Sequence, residues 1–112
     1  MERVKKIVKA LDDKKAKNID VLDISELTSL GDYFIICTCG STPQVHACCD
    51  EVEEKLEEID VNCIHKEGYS GGSWVLMDYG DIIVHIMQEE TRNFYSLEKL
   101  WDDCPRIEVK PE

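Results

Sequence analysis

The 112 residues include few aromatics: two tryptophans, four tyrosines and two phenylalanines. Cations are also scarce, with 13 lysines and arginines against 24 aspartates and glutamates and a formal net charge of -11. Such a chain is badly suited to wrapping a phosphate backbone, because nucleic-acid affinity comes largely from cations that displace counterions. Its acidity suits a basic protein partner, or simply keeps a small protein in solution. No apolar run approaches the ~20 residues needed to span a bilayer. The opening MERVKKIVKALDDKKAK alternates apolar with charged residues and lacks the apolar centre of a signal peptide. A cytoplasmic protein is expected. No repeat, low-complexity tract or linker interrupts the chain, and 43% hydrophobic composition at this length is most economically one domain.

Several chemical signatures are missing as well. Cys37, Cys39, Cys48, Cys49, Cys63, Cys104, His46, His65 and His85 supply enough donors for a metal, yet no C-x2-C pair occurs and the spacings match no usual zinc module. Reduced, buried thiols and no metal are expected. Gly40-Ser41 reads as a strand-to-helix turn whose amides could hold a phosphate. The helix that follows, TPQVHACCDE, has no D-x-D to hold the metal ions of nucleotidyl transfer. Asp78 and Asp81 flank a hairpin turn, and turn formation is sufficient reason for both. No local signature pairs a cysteine with a histidine for nucleophilic chemistry, and His85, within an apolar strand, reads as a hydrogen-bonded core residue. No catalytic residue and no cofactor are assigned.

What is present is a clear alternation of periods. Val4, Ile7, Val8 and Leu11 recur at helical spacing from Arg3 to about Lys15. A short alternating strand follows at 20–24, then the nearly continuous apolar run Tyr33 to Cys39, which suits a strand covered on both faces. Ser41 or Thr42 is positioned to cap a second helix, with Pro43 in its first turn. Val45, Cys48, Cys49, Val52, Leu56 and Ile59 form its apolar face. Asp50, Glu51, Glu53, Glu54, Glu57 and Glu58 form an acidic one, either a solvated surface or a docking surface for a basic partner. Residues 62–66 read as an edge strand and 67–72 as a mobile glycine-rich loop. Residues 73–77 and 82–87 read as a hairpin across Asp78-Tyr79-Gly80-Asp81. Helical turns are expected at 88–93 and 95–101. The predicted fold class is α/β (α+β): a single domain with a mixed, roughly five-stranded sheet flanked by helices, spanning 1–104, followed by a tail at 105–112 with little hint of burial.

The stretch from Trp74 to Trp101 holds both tryptophans and two of the four tyrosines. Trp74 and Leu76 on one strand face, Asp78 and Tyr79 at the hairpin tip, and Arg92, Phe94, Tyr95 and Trp101 beyond would make an aromatic patch rimmed by charge. The same aromatics could instead pack a third layer onto the sheet. Tyr79, at a turn, is expected to be exposed.

The run Trp74-Val75-Leu76-Met77-Asp78-Tyr79-Gly80-Asp81, then Val84-His85-Ile86, Glu90, Arg92, Phe94-Tyr95, Leu97-Glu98 and Leu100-Trp101, resembles the Iojap family of bacterial ribosomal silencing factors (RsfS). Asp13-Lys14-Lys15-Ala16, Asp23, Asp32-Tyr33-Phe34-Ile35, Ser41 and Gln44 agree with it, so the resemblance runs from the first helix to Trp101. Cys48-Cys49 and the Ser70-Gly71-Gly72 loop depart from the family pattern. The resemblance implies a nucleotidyltransferase-like fold without the catalytic carboxylates. It further implies a non-enzymatic factor that binds the large ribosomal subunit through universal ribosomal protein fourteen. Occupying that protein would block joining of the small subunit and lower translation when nutrients are scarce. It implies no membrane and no sequence-specific nucleic acid, and leaves room for a homodimer. The partner-binding residues it implies are Trp74, Leu76, Asp78, Tyr79, Arg92, Phe94 and Tyr95, with Trp101 as support. Removing the Tyr79 ring would then weaken binding without unfolding the domain. The alternative is a vestigial nucleotidyltransferase-fold protein that binds nucleotide.

Overall fold

The computed structural model of the chain describes residues 2–26, 31–95, 99 and 105–109. Helix α1 (Glu2–Asp13) buries Val4, Ile7, Val8, Ala10 and Leu11, the stripe set by the apolar spacing. It stops where Lys15 turns to φ 65° and the Ala16 N–H donates back to the Leu11 carbonyl at 3.0 Å. Strands β1 (Lys17–Asp23) and β2 (Tyr33–Cys39) follow, then α2 (Thr42–Glu57), β3 (His65–Glu67), β4 (Trp74–Asp78), β5 (Ile82–Gln88), α3 (Glu89–Tyr95) and β6 (Arg106–Ile107).

The strands form one mixed sheet in the order β3-β4-β5-β2-β1-β6. Among the described strands only β2 and β5 run parallel, in register from Tyr33 opposite Ile82 to Cys39 opposite Gln88; the other neighbours are antiparallel. These two inner strands are the apolar runs of the sequence, as a strand covered on both faces requires. Val21, Ile35, Cys37, Val75, Met77, Val84 and Ile86 turn to one face, where they form a single buried cluster with the apolar sides of α1 and α2. Leu22, Ile24, Phe34, Ile36 and Met87 form a smaller cluster with Trp74 and Ile83 at its margin.

Among the described residues the sheet has six strands where about five were expected. The sixth is two residues long: Ile107 pairs with Val21 and Arg106 with Leu22. A strand this short cannot display a period-two pattern, and its pairing depends on the tail meeting an edge far away in the chain. Strand β1 begins before the predicted residue 20, with a register shift between Lys17 and Asp20 and Asn18 at φ 51°. The third strand lies at 65–67 rather than 62–66.

Ser41 caps α2, its Oγ accepting the Gln44 N–H at 3.3 Å, with Pro43 in the first turn. The Gln44 amide does more. Its oxygen accepts the Gly40 N–H at 2.7 Å, while its nitrogen donates to the Lys14 and Lys15 carbonyls at 3.1 and 3.0 Å. One side chain thereby satisfies the orphan carbonyls after α1 and the turn before α2. The 67–72 loop, expected to be mobile, is tied down. The His46 ring bonds the Tyr69 carbonyl at 2.6 Å, the Tyr69 hydroxyl donates to Asp50 at 3.0 Å, and Gln88 Nε2 donates to the Gly72 carbonyl at 2.8 Å. At Gly68, φ is 82° and a Cβ would lie 2.1 Å from the Trp74 carbonyl oxygen, so only glycine lets the loop pass this close to β4.

Candidate docking patch

On β4 the burial pattern alternates: Val75 and Met77 enter the helix-side core, while Trp74, Leu76 and Asp78 stay half-buried on the opposite face. Helix α3 brings its last residues alongside. The Tyr95 ring lies 5.0 Å from the Trp74 ring, and Phe94 packs edge-on against Tyr95 at 5.1 Å. Phe94 is 81% exposed and Tyr95 52%, a large apolar area to leave in water on a chain with so few aromatics. Trp74 stands between two shallow grooves. One, of about 370 Å³, is lined by Ser73, Trp74, Glu90, Thr91, Phe94 and Tyr95; the other, of about 280 Å³, by Glu67, Gly68, Trp74 and Leu76. Glu67 and Glu90 are exposed, so the aromatic centre has an acidic rim.

Trp74 is held from beneath. Its indole N–H donates to His85 Nδ1 at 3.1 Å, and Phe34 packs edge-on against the imidazole with ring centres 4.9 Å apart. Burial depresses the His85 pKa to about 4, so the ring is neutral. Since Nδ1 accepts, Nε2 carries the proton, and it has no partner among the described residues. His85 is therefore the hydrogen-bonded core histidine that the sequence suggests.

Two residues expected in the patch lie elsewhere. Tyr79 is 4% exposed, not displayed at the hairpin tip. Its N–H donates to the Ile82 carbonyl at 2.9 Å, and its ring joins the helix-side cluster that contains Leu56 and has Ile59, Val61 and Cys63 at its margin. The hydroxyl has no partner among the described residues, and burial raises its pKa. Turn residues are usually solvated, but here Gly80 at φ 89° takes the tight conformation and Tyr79 folds back onto the core. Arg92 is 7% exposed. Its guanidinium donates to the Asn18 carbonyl at 2.6 Å, Thr38 Oγ1 at 2.9 Å and Asp20 Oδ2 at 2.6 Å, fastening α3 to the β1 bulge. No local pattern announces this, because the partners are 54 to 74 residues away. Trp101, with Leu97 and Leu100, lies outside the described residues.

The aspartates of the hairpin serve the fold. Asp78 Oδ1 accepts the Gly80 N–H at 2.8 Å, and the Asp81 carboxylate pairs with Arg3. The Gly40 N–H, one of the amides that could hold a phosphate, is occupied by Gln44. Cys37, Cys39, Cys48 and Cys49 are buried free thiols and Cys63 is half-buried. Burial pushes Cys49 up to about 12, the behaviour of an inert thiol. Among the described residues no three cysteine, histidine or acidic side chains converge as a metal site, and no helix is long and apolar enough to cross a membrane. Part of the acidic face of α2 is engaged internally, Glu53 with Lys66 and Asp50 with Tyr69.

Residues 1–112 match the family described as "Ribosomal silencing factor during starvation". The chain belongs to this ribosomal silencing factor family. The silencing factor RsfS of Halalkalibacterium halodurans is 38% identical over 103 residues, 92% of this chain and 88% of that protein. The silencing factor of Chromobacterium violaceum is 44% identical over 94 residues, 84% of this chain and 77% of its own length. A crystal structure of a protein from Chromobacterium violaceum superimposes with a TM-score of 0.88 at 40% identity, covering 99% of this chain and 88% of that one. The family's description names a silencing role at the ribosome during starvation. The exposed aromatics beside Trp74 are the surface feature that calls for a function.

Proposed function

We propose that this silencing factor docks on the large ribosomal subunit through the aromatic patch of Trp74, Leu76, Phe94 and Tyr95, and that universal ribosomal protein fourteen receives it. The docked domain covers the surface to which the small subunit would join. It acts by stoichiometric occupancy, without turnover, and lowers translation when nutrients are scarce. The observation that carries this reading is the exposure of Phe94 and Tyr95 beside the half-buried Trp74. Aromatics set in grooves and surrounded by polar residues are the usual anchors of a protein interface. The acidic rim of Glu67 and Glu90 suits a basic ribosomal protein, and the net charge of -11 discourages a separate grip on RNA. Tyr79 and Arg92 support the patch through the fold, and Asp78 shapes the turn at the end of β4.

The test is a sucrose-gradient assay in which purified subunits are mixed with increasing amounts of the protein. Free subunits should accumulate, with the protein sedimenting beside the large one in a one-to-one ratio. Undiminished joined ribosomes at a several-fold excess of protein would refute the proposal.

A further inference from the structure

Position 85 lies on an inner strand, opposite Ile36 of β2 and Leu76 of β4. Its neighbours two residues away along β5 are Ile83 and Met87, so packing alone would accept an aliphatic side chain there. An imidazole at this point costs stability, because it is desolvated and its Nε2–H is unpartnered among the described residues. What the imidazole supplies is one acceptor. Trp74 sits opposite Met87, which makes Trp74 and His85 diagonal neighbours across the β4–β5 pair, close enough for long side chains to meet. The 3.1 Å bond from the indole N–H to Nδ1 is the directional polar tie on a ring that otherwise packs at the margin of the cluster of Leu22 and Met87 and makes tilted contacts with Tyr95 and His85. A half-buried tryptophan on a strand has several rotamers open to it, and ordering it only on binding would cost affinity. Phe34, edge-on to the imidazole, keeps the acceptor itself in place.

We propose that His85 is the positioning residue of the docking patch: by accepting the Trp74 indole N–H at Nδ1 it fixes that ring as the wall between the two grooves before any partner arrives. The inference rests on the reading of the patch as the ribosome-facing surface. His85 touches no partner and acts only through Trp74.

The test uses the full chain with three substitutions at this position. His85→Leu removes the acceptor. His85→Asn offers a carbonyl oxygen at the same distance from Cβ as Nδ1, and His85→Gln carries its amide one bond too far. The first readout is the indole N–H resonance of Trp74, assigned by its disappearance in Trp74→Phe; the second is affinity for purified large subunits. His85→Leu should shift the resonance and weaken binding by about tenfold. Asn should restore both and Gln should not, so that contrast stands even if the leucine variant fails to fold. In a Trp74→Ala background, His85→Leu should cause no further loss of affinity. An unmoved indole resonance, or a loss of binding that persists in the Trp74→Ala background, would overturn the positioning role. Full affinity in Trp74→Ala alone would instead overturn the docking surface, with the resonance still reporting on the His85 bond by itself.

Discussion

Acid should destabilise this fold through one histidine, and the size of the effect follows from the burial of His85. The ring is neutral in the folded chain, its pKa lowered by burial from 6.5 to about 4, while in the unfolded chain it titrates at the ordinary value. The unfolded state therefore binds the proton first as pH falls. The stabilisation is fully present above the unfolded value near 6.5 and is lost progressively as pH falls toward about 4. Two and a half units correspond to a total of about 3 kcal/mol, of which about 1.7 kcal/mol is lost between pH ~7.5 and ~5.2, a range that avoids the acidic pI. Protonation also strikes the geometry, since a proton on Nδ1 would face the indole N–H with another donor. The measurement is urea unfolding of the natural chain and of His85→Asn at several pH values across that range. Groups common to both proteins cancel in the difference between the two stabilities. That difference should move by about 1.7 kcal/mol in favour of the asparagine variant on going to the lower pH. A flat difference would mean that His85 is charged or hydrated in the folded chain, and the account of a neutral, pre-set acceptor would fail.

Phe94→Ala should leave thermal unfolding unchanged, since the ring is 81% exposed, but cost about 1 to 3 kcal/mol in affinity for large subunits; undiminished co-sedimentation would remove Phe94 from the patch. Tyr79→Ala, by contrast, should act on the fold, costing about 3 to 5 kcal/mol in denaturant unfolding, whereas Tyr79→Phe, which deletes a buried hydroxyl with no partner among the described residues, should be neutral or stabilising by up to ~1 kcal/mol. Equal losses for the two would point to a hydroxyl partner. Arg92→Met should cost about 2 to 4 kcal/mol in stability, because it unfastens α3 from Asn18, Thr38 and Asp20. An Arg92→Met protein as stable as the natural one but unable to bind large subunits would return Arg92 to the interface.

The elements with a strong period were legible in the sequence. Helix α1, the apolar strands β2 and β5, the Ser41 cap and the Gly80 turn all follow from spacing and local backbone chemistry, which act between residues a few positions apart. The lack of D-x-D after Gly40-Ser41 and of any C-x2-C pair argues, from sequence alone, against nucleotidyl transfer and a usual zinc module. The residues Trp74 to Trp101 carried the family resemblance, which the family match over residues 1–112 then bore out. Within the patch, Trp74 and Leu76 could be placed on one strand face because strand side chains alternate.

Tertiary structure alone decided where the ambiguous side chains went. Tyr79 sits in a turn, and local chemistry sends turn residues outward; the sheet and α2 offered it a core. Arg92 reads as a surface cation until folding sets it beside the Asn18 bulge, across 74 residues of chain. His85 and Trp74 are 11 residues apart, and only the β4–β5 register makes them partners. β6 exists because a short tail finds an edge to pair with. Period and capping depend on neighbours in the chain and are written there; burial of a polar or turn residue depends on which distant surface folding places against it.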